Sequence, residues 1–502
     1  SDFVARVSHD EQGNTFINAP ITLNADQIHQ LYPDLQNNLI DGQSLWQVNL
    51  TIPSVEADSA APVSLDIRSD LDGMALLLPK PFNKDFAGKQ NLRLTTAFVD
   101  KAPQPLSLSI ENRVTSDVRL NHANNNFSFQ SGHIHFGVQT KPLTLPDDGL
   151  QISGRLPAVE LNDWLDWLAS QPSANASLPA LGLDLQIDSL AYVQQQLSNI
   201  HLKGKTISKT LSGHISSDQL TGNFQVVGKQ PIELIQLDLQ QARLKLNPEQ
   251  ITSDTNAAKT DINAFNPAAS PDLDININNL FINDHNFGKT TFQSSRGEQS
   301  MRLDAFRTQS DLLHINASGL WLSENNQQKS LLDLELNSNN FGLALEKLGY
   351  ARQLDQGQAH ILGRLSWPGG PAAFQQENLS GQLSLKIEKG RILEFNPGVG
   401  RVLGILNLSA IQRRLTLDFS DLFKEGFTFD EISANFNLDD GDAYTNDLLI
   451  ISTAGLINVS GRSGLKQRDY DQVVTITPSI QSGLTIAGAV AGGPASAAIR
   501  LL

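Results

Sequence analysis

The amino-acid sequence predicts a mainly β protein made of antiparallel, amphipathic strands. Apolar residues alternate with polar ones from one end of the chain to the other, and helical periodicity is rare. Unbroken apolar runs, which strands buried on both faces would show, are missing as well. Alternation is plain at Trp46, Val48, Leu50 and Ile52, at Leu106, Leu108 and Ile110, at Ile134, Phe136 and Val138, and at Leu183, Leu185 and Ile187. It returns at Ile235, Leu237 and Leu239, at Leu273, Ile275 and Ile277, and at Leu332, Leu334 and Leu336. The last examples are Leu383, Leu385 and Ile387, then Leu415, Leu417 and Phe419. Successive side chains of a strand point to opposite faces, so each segment pleats with one oily and one wet side. Parallel neighbours, with their crossover helices, are not expected.

Short helices are expected at 24–31, where Asn24 opens the turn, and at 161–169. There Leu161, Trp164, Leu165 and Leu168 form a stripe, and Asn162 or Asp163 is placed to cap it. Segments 341–348 and 399–411 are similar, and all four are expected to pack on an end or seam of the sheet. One phrase recurs: Ile152-Ser-Gly-Arg-Leu156, Ile361-Leu-Gly-Arg-Leu365 and Val459-Ser-Gly-Arg462, with a looser copy at 315–321. Glycine inside a strand marks a bulge or bend, so the repeat suggests repeated curvature. Loops rich in Ala, Ser, Asn or Pro are expected at 57–62, 170–180 and 252–271. The chain is accordingly divided into strand repeats over 1–250, a loop or linker over 251–271, further repeats over 272–481, and a Gly/Ala-rich tail over 482–502.

An amphipathic sheet must hide its oily face against helices, another sheet, itself or a ligand. So few helices leave a barrel, a sandwich, a solenoid or a curled gutter covered by something else. Composition narrows the function. With 502 residues, a net charge of −16 disfavours nucleic acid, which needs an excess of Lys and Arg. The absence of cysteine removes disulfides, thiolate nucleophiles and Cys-based zinc sites, and it fits an oxidising compartment. The chain opens at Ser1 without a basic, apolar leader, so a signal or anchor segment is expected to precede it in the whole protein.

Candidate chemistry is sparse. His133 and His135 share a strand face and have the spacing of a metal pair, yet that face is the wet one. Asp439, Asp440, Asp442 and Asp447 lack the register of a calcium loop and suit an ordinary turn. Asp272 and Asp274 are the wet positions of a strand. Arg401, Arg413 and Arg414 form a small basic cluster beside 399–411, read as surface or helix-end charge. With no P-loop, dinucleotide fingerprint, HExxH or GxSxG, neither catalysis nor a cofactor is expected.

Residues 345–479 carry an ordered series of phrases. Leu362-Gly-Arg-Leu-Ser-Trp-Pro-Gly369 is followed by Leu379-Ser-Gly-Gln-Leu-Ser-Leu-Lys-Ile-Glu-Lys-Gly-Arg-Ile392 and Gly400-Arg-Val-Leu-Gly404. Next come Arg413-Arg-Leu-Thr-Leu-Asp-Phe-Ser-Asp-Leu-Phe423, Glu425-Gly-Phe-Thr-Phe-Asp430, Asp440-Gly-Asp-Ala-Tyr444 and Val474-Thr-Ile-Thr-Pro478. This collinear set is similar to the C-terminal region of the AsmA-like superfamily, in its YhdP branch; before 345 the likeness is of pattern only. The resemblance implies an elongated, curled antiparallel sheet forming a repeating β-groove with an apolar inner face. It also implies a periplasmic location, an N-terminal inner-membrane anchor, an outer-membrane contact at the C-terminal end, and non-enzymatic transport of glycerophospholipid. The inward residues expected to line such a groove are Leu106, Leu108, Ile110, Leu183, Leu185, Ile187, Leu237, Leu239, Ile275, Ile277, Leu334, Leu336, Leu383, Leu385, Ile387, Leu415, Leu417 and Phe419. The competing reading is a structural β-solenoid or adhesin-like envelope protein with a packed core. The tail at 482–502 is expected to lie at the outer-membrane end, packed over the groove mouth or touching the bilayer.

Overall fold

A computed structural model describes residues 4–32, 39–54, 61–100, 102–123, 126–169, 179–192, 195–228, 232–245, 267, 270–324, 327–393, 426–467, 469–479 and 497–501. The chain divides into two compact units, Ser1–Lys229 and Gln230–Leu502. The first holds strands β1 (Arg6–His9), β2 (Thr15–Asn24), β3 (Ile40–Ile52), β4 (Val63–Ser69), β5 (Met74–Leu76), β6 (Leu92–Phe98) and β7 (Gln104–Ile110). It continues with β8 (Val114–Ala123), β9 (Asn126–Phe136), β10 (Gly149–Glu160), β11 (Leu181–Tyr192), β12 (Gln195–Ile207), β13 (Thr210–Ser216) and β14 (Leu220–Val227), plus helices α1 (Ala25–Leu31) and α2 (Leu161–Ala169).

The second unit begins with β15 (Leu234–Leu244), β16 (Asp272–Ile282), β17 (His285–Asn286), β18 (Lys289–Arg296), β19 (Ser300–Gln309), β20 (Leu313–Glu324) and β21 (Gln327–Ser338). Helix α3 (Phe341–Lys347) leads to β22 (Leu354–Pro368), β23 (Ser380–Ile392), β24 (Phe427–Asp439), β25 (Asp442–Ser452), β26 (Gly455–Gly464), β27 (Asp469–Pro478) and β28 (Ala497–Leu501).

Within each unit the sheet is mainly antiparallel, as the alternation requires. Among the described residues three pairs are parallel: β9 with β10, β10 with β11, and β15 with β16. They depart from the all-antiparallel expectation for a simple reason. A strand that must lie parallel to its predecessor needs a crossover, and residues 137–148, α2 with 170–180, and 245–271 supply the length. The first unit's described ladder runs from β1 to β14 without a pairing between those two, so this sheet is open rather than a barrel. It is bent by a bulge at Arg119/Leu120, and the second unit's by bulges at Gln293/Ser294, Leu303/Phe306, Ser433/Asn437 and Thr445/Leu448. Each bulge adds local twist, which curls the sheet.

The described helices are short and locally specified. The Asn24 side chain accepts from the Gln27 amide at 2.8 Å while Gln27 Oε1 accepts from the Asn24 amide at 3.0 Å, a closed capping box. Asn340 caps α3 by accepting from the Leu343 amide at 3.0 Å. In α2, Asn162 and Asp163 fall inside the first turn, so neither is the cap that the sequence suggested. The expected helix at 399–411 lies outside the described residues. So do Leu415, Leu417, Phe419, Arg401, Arg413, Arg414 and residues 482–496. The end of the tail, Ala497–Leu501, extends the ladder instead: it pairs antiparallel with β27, Val474 opposite Ile499.

Candidate functional site

In both units the inward residues of neighbouring strands fall in register, forming one oily face that crosses the strands. In the first, Leu108 lies opposite Leu94, Leu106 opposite Val118, and Ile110 opposite Leu92 and Val114. Further along, Leu183 sits between Ile152 and Gly204, Leu185 between Gly154 and Leu202, and Ile187 between Leu156 and Ile200. In the second, Leu237 faces Ile275 and Leu239 faces Ile277, while Ile275 meets Phe292, and Phe292 meets Phe306. Leu334 and Leu336 then meet Gly363 and Ile361, which meet Leu383 and Leu385. Every described residue expected to line a groove therefore lies on the apolar face of its unit.

Exposure along that face is uneven. Leu106, Leu108, Ile110, Leu185, Leu237, Ile275, Ile277, Leu334, Leu336 and Leu383 are half-buried, while Leu183, Ile187, Leu239, Leu385 and Ile387 are buried. The half-buried floor stays within reach of an apolar ligand. From β23 to β27 the face instead packs on itself: Ile387, Phe429, Ile432, Leu448, Ile450 and Val459 are each 1% exposed.

The lips of the sheet are folded over the same face. In the first unit the segment between β5 and β6 carries Phe82 against Phe136, with ring centroids 5.1 Å apart, and edge-on to Trp164 of α2 at 5.9 Å. Trp164 Nε1 donates to the Lys80 carbonyl at 2.9 Å and Arg113 Nη1 to the Asn83 carbonyl at 2.8 Å, which pins the segment. Helix α2 thus brings Trp164 to the rim. In the second unit α3 buries Phe341 and Ala344 at one rim, and Trp367 stacks edge-on with Phe374, centroids 5.3 Å apart, at the other. Phe82 was not legible as a site residue, because its contacts are all distant in sequence.

The opposite face is polar and laced with ion pairs. Each copy of the repeated Gly-Arg phrase projects its arginine there. Arg155 donates to Asp188 at 2.7 Å, Arg364 to Asp333 at 2.8 Å, and Arg462 to Asp442 and Asp469 at 2.8 and 2.9 Å. The glycine of the first copy has φ +112°, and a Cβ there would fall 2.1 Å from the Phe136 carbonyl, so close strand approach demands it. An open cleft edged by Asp304, Arg307, Asp333 and Arg364 also has Leu362 in its lining. His133 pairs its ring nitrogens with the Thr144 carbonyl and Ser153 Oγ, and His135 shares Ser153. Asp447 accepts from the Asn435 amide and side chain, Asp440 and Gly441 form the β24–β25 turn, and Asp272 accepts from the Arg296 amide at 2.7 Å. Asp274 accepts from the Gln293 side chain at 3.3 Å. These carboxylates have ordinary structural partners.

Arg68 and Arg93 stand directly opposite each other on β4 and β6, and Asp66 accepts from both. The Arg68 guanidinium, with Arg93 beside it, holds the Asp66 carboxyl below the usual carboxylate range. A depressed folded value means that this contribution is complete above the unfolded pKa, about 4, and fades as pH falls through the folded value. The melting temperature of Asp66→Asn should therefore fall less steeply than that of the wild type between about pH 5 and pH 2. Identical acid slopes would remove Asp66 from the account.

A curled, open sheet with one oily face and an ion-paired back defines a groove-forming β-protein. The chain belongs to the YhdP protein family, whose profile matches residues 4–502. Over 225 residues it is 26% identical to the intermembrane phospholipid transporter YhdP of Escherichia coli (strain K12), a match that covers 45% of this chain and 18% of that protein. The chain thus aligns with less than a fifth of that relative's length. No solved structure matches it.

Proposed function

We propose that this chain carries glycerophospholipids through the periplasm, between inner and outer membranes, by holding their acyl chains on the apolar face, without catalysis. The observation that carries this is the in-register aliphatic floor, half-buried over β6–β8 and again over β15, β16 and β21. Moving a buried methylene into water costs roughly 0.8 kcal/mol, so a two-chain lipid is retained. It slides readily, because neighbouring rows of Leu and Ile are nearly equal in energy. The relative's name, an intermembrane phospholipid transporter, agrees with this cargo. In the whole protein the N-terminal side is assigned to the inner membrane and the C-terminal side to the outer one. Among the described residues no helix is long and apolar enough to cross a membrane.

A structural solenoid would bury its whole inner face in a packed core, and the half-buried leucines speak against it. The protein purified from bacteria in a mild detergent should bring phospholipid with it, read by mass spectrometry of extracted lipid. Phospholipid at the level of an unrelated periplasmic control protein would overturn the proposal.

A further inference from the structure

The apolar face of the second unit has an open part and a sealed part, and their boundary lies within one row of residues. Crossing the strands, that row reads Ala317, Leu334, Gly363, Leu383 and Phe436. At Gly363 the floor has a dent. The nearest atoms that a Cβ placed there would meet are Leu383 Cδ1 at 3.5 Å, Leu365 Cγ at 3.6 Å and Leu334 Cβ at 3.8 Å, all ordinary contacts. One strand beyond Leu383 the row ends on Phe436, 2% exposed.

Seven residues further along β23, toward the other end of the ladder, a glycine's space is filled from within. Gly390 lies opposite Phe429, and a Cβ on Gly390 would fall 2.5 Å from the Phe429 ring. The ring occupies the space the glycine leaves, and Ile432, Ile450 and Val459 complete the packing. An acyl chain on such a surface has no apolar area left to cover.

We propose that the lipid path over the second unit ends at the row Leu334–Gly363–Leu383, and that β24 to β27 form a self-packed stop. Chains reaching this row leave through the open side of the groove rather than running on beneath Phe429 and Phe436. The placement rests on lipid carriage itself, so its test must separate the two.

Four phenylalanines serve as positions for a reporter, and the melting temperature of each variant checks that the bulkier side chain leaves the sheet folded. Phe292 and Phe306 are half-buried on the open part, and Phe429 and Phe436 lie in the stop. The photoreactive analogue p-benzoylphenylalanine replaces each in turn, in cells irradiated before purification, and cross-linked phospholipid is read by mass spectrometry. Adducts are expected at 292 and 306, with background at 429 and 436. Yields at 429 or 436 comparable to those at 292 would overturn the stop. Background at all four positions with lipid still present in extracts would also overturn it, because the path would not cross this floor. Background at all four with no lipid in extracts would overturn carriage as well.

The stop can be tested without any substitution by hydrogen exchange of the wild-type protein before and after lipid removal. Protection of strands within 427–478 should be unchanged, while β16 and β18–β21 exchange faster. Equal acceleration in both regions would overturn the proposal.

Discussion

Phe436→Ala is expected to destabilise the second unit by about 3–5 kcal/mol, the range for removing a large aromatic side chain from a packed core. Phe436 is 2% exposed, lies opposite Leu383, and belongs to the cluster that holds Ile432, Leu448, Ile450 and Val459. The cavity has little means of collapsing, since the strands on either side are fixed by their ladders. Urea unfolding of the two proteins should show the wild-type midpoint well above that of the variant. A loss under about 1 kcal/mol would mean that this face is not packed, and the stop would lose its basis.

The second large effect falls on function rather than stability. Leu334→Lys with Leu237→Lys should leave the melting temperature close to the wild type and abolish lipid carriage. Both positions are half-buried, so a lysine stem can lie along the floor and lift its amine to water. The charge then interrupts the hydrocarbon path at two places. Ser384→Lys with Asn316→Lys, exposed on the polar face, should change neither property. Full lipid content in the Leu334/Leu237 variant would show that the path does not cross these rows. Leu385→Lys behaves differently, although alternation treats it like Leu334. Leu385 is 7% exposed inside the cluster, so an unpaired ammonium there should cost several kcal/mol and unfold the sheet around it.

The contrast between Leu334 and Leu385 marks what each level of structure decides. Which face a residue takes is a property of the chain alone. Side chains alternate along a strand, so Leu183, Leu185 and Ile187 share a face in any pairing that keeps the oily rows together. The helix start at Asn24 was readable for the same reason: its meaning is set within a few residues.

Depth, by contrast, was settled only by the fold. Whether an inward leucine is floor or core depends on how far the sheet curls and on what its rims bring over it. At Leu385 those are Ala434 across the ladder and the rings of the surrounding cluster, and in the first unit Phe82 is brought to Phe136 by a segment that lies between β5 and β6, while Phe136 ends β9. The parallel joins at β9–β10, β10–β11 and β15–β16 were hidden likewise, because a crossover leaves its mark in loop length and not in the alternation of the strands it connects. Alternation reports two sides of a sheet; burial is a sum over contacts from strands far apart in sequence, and only the folded chain evaluates that sum.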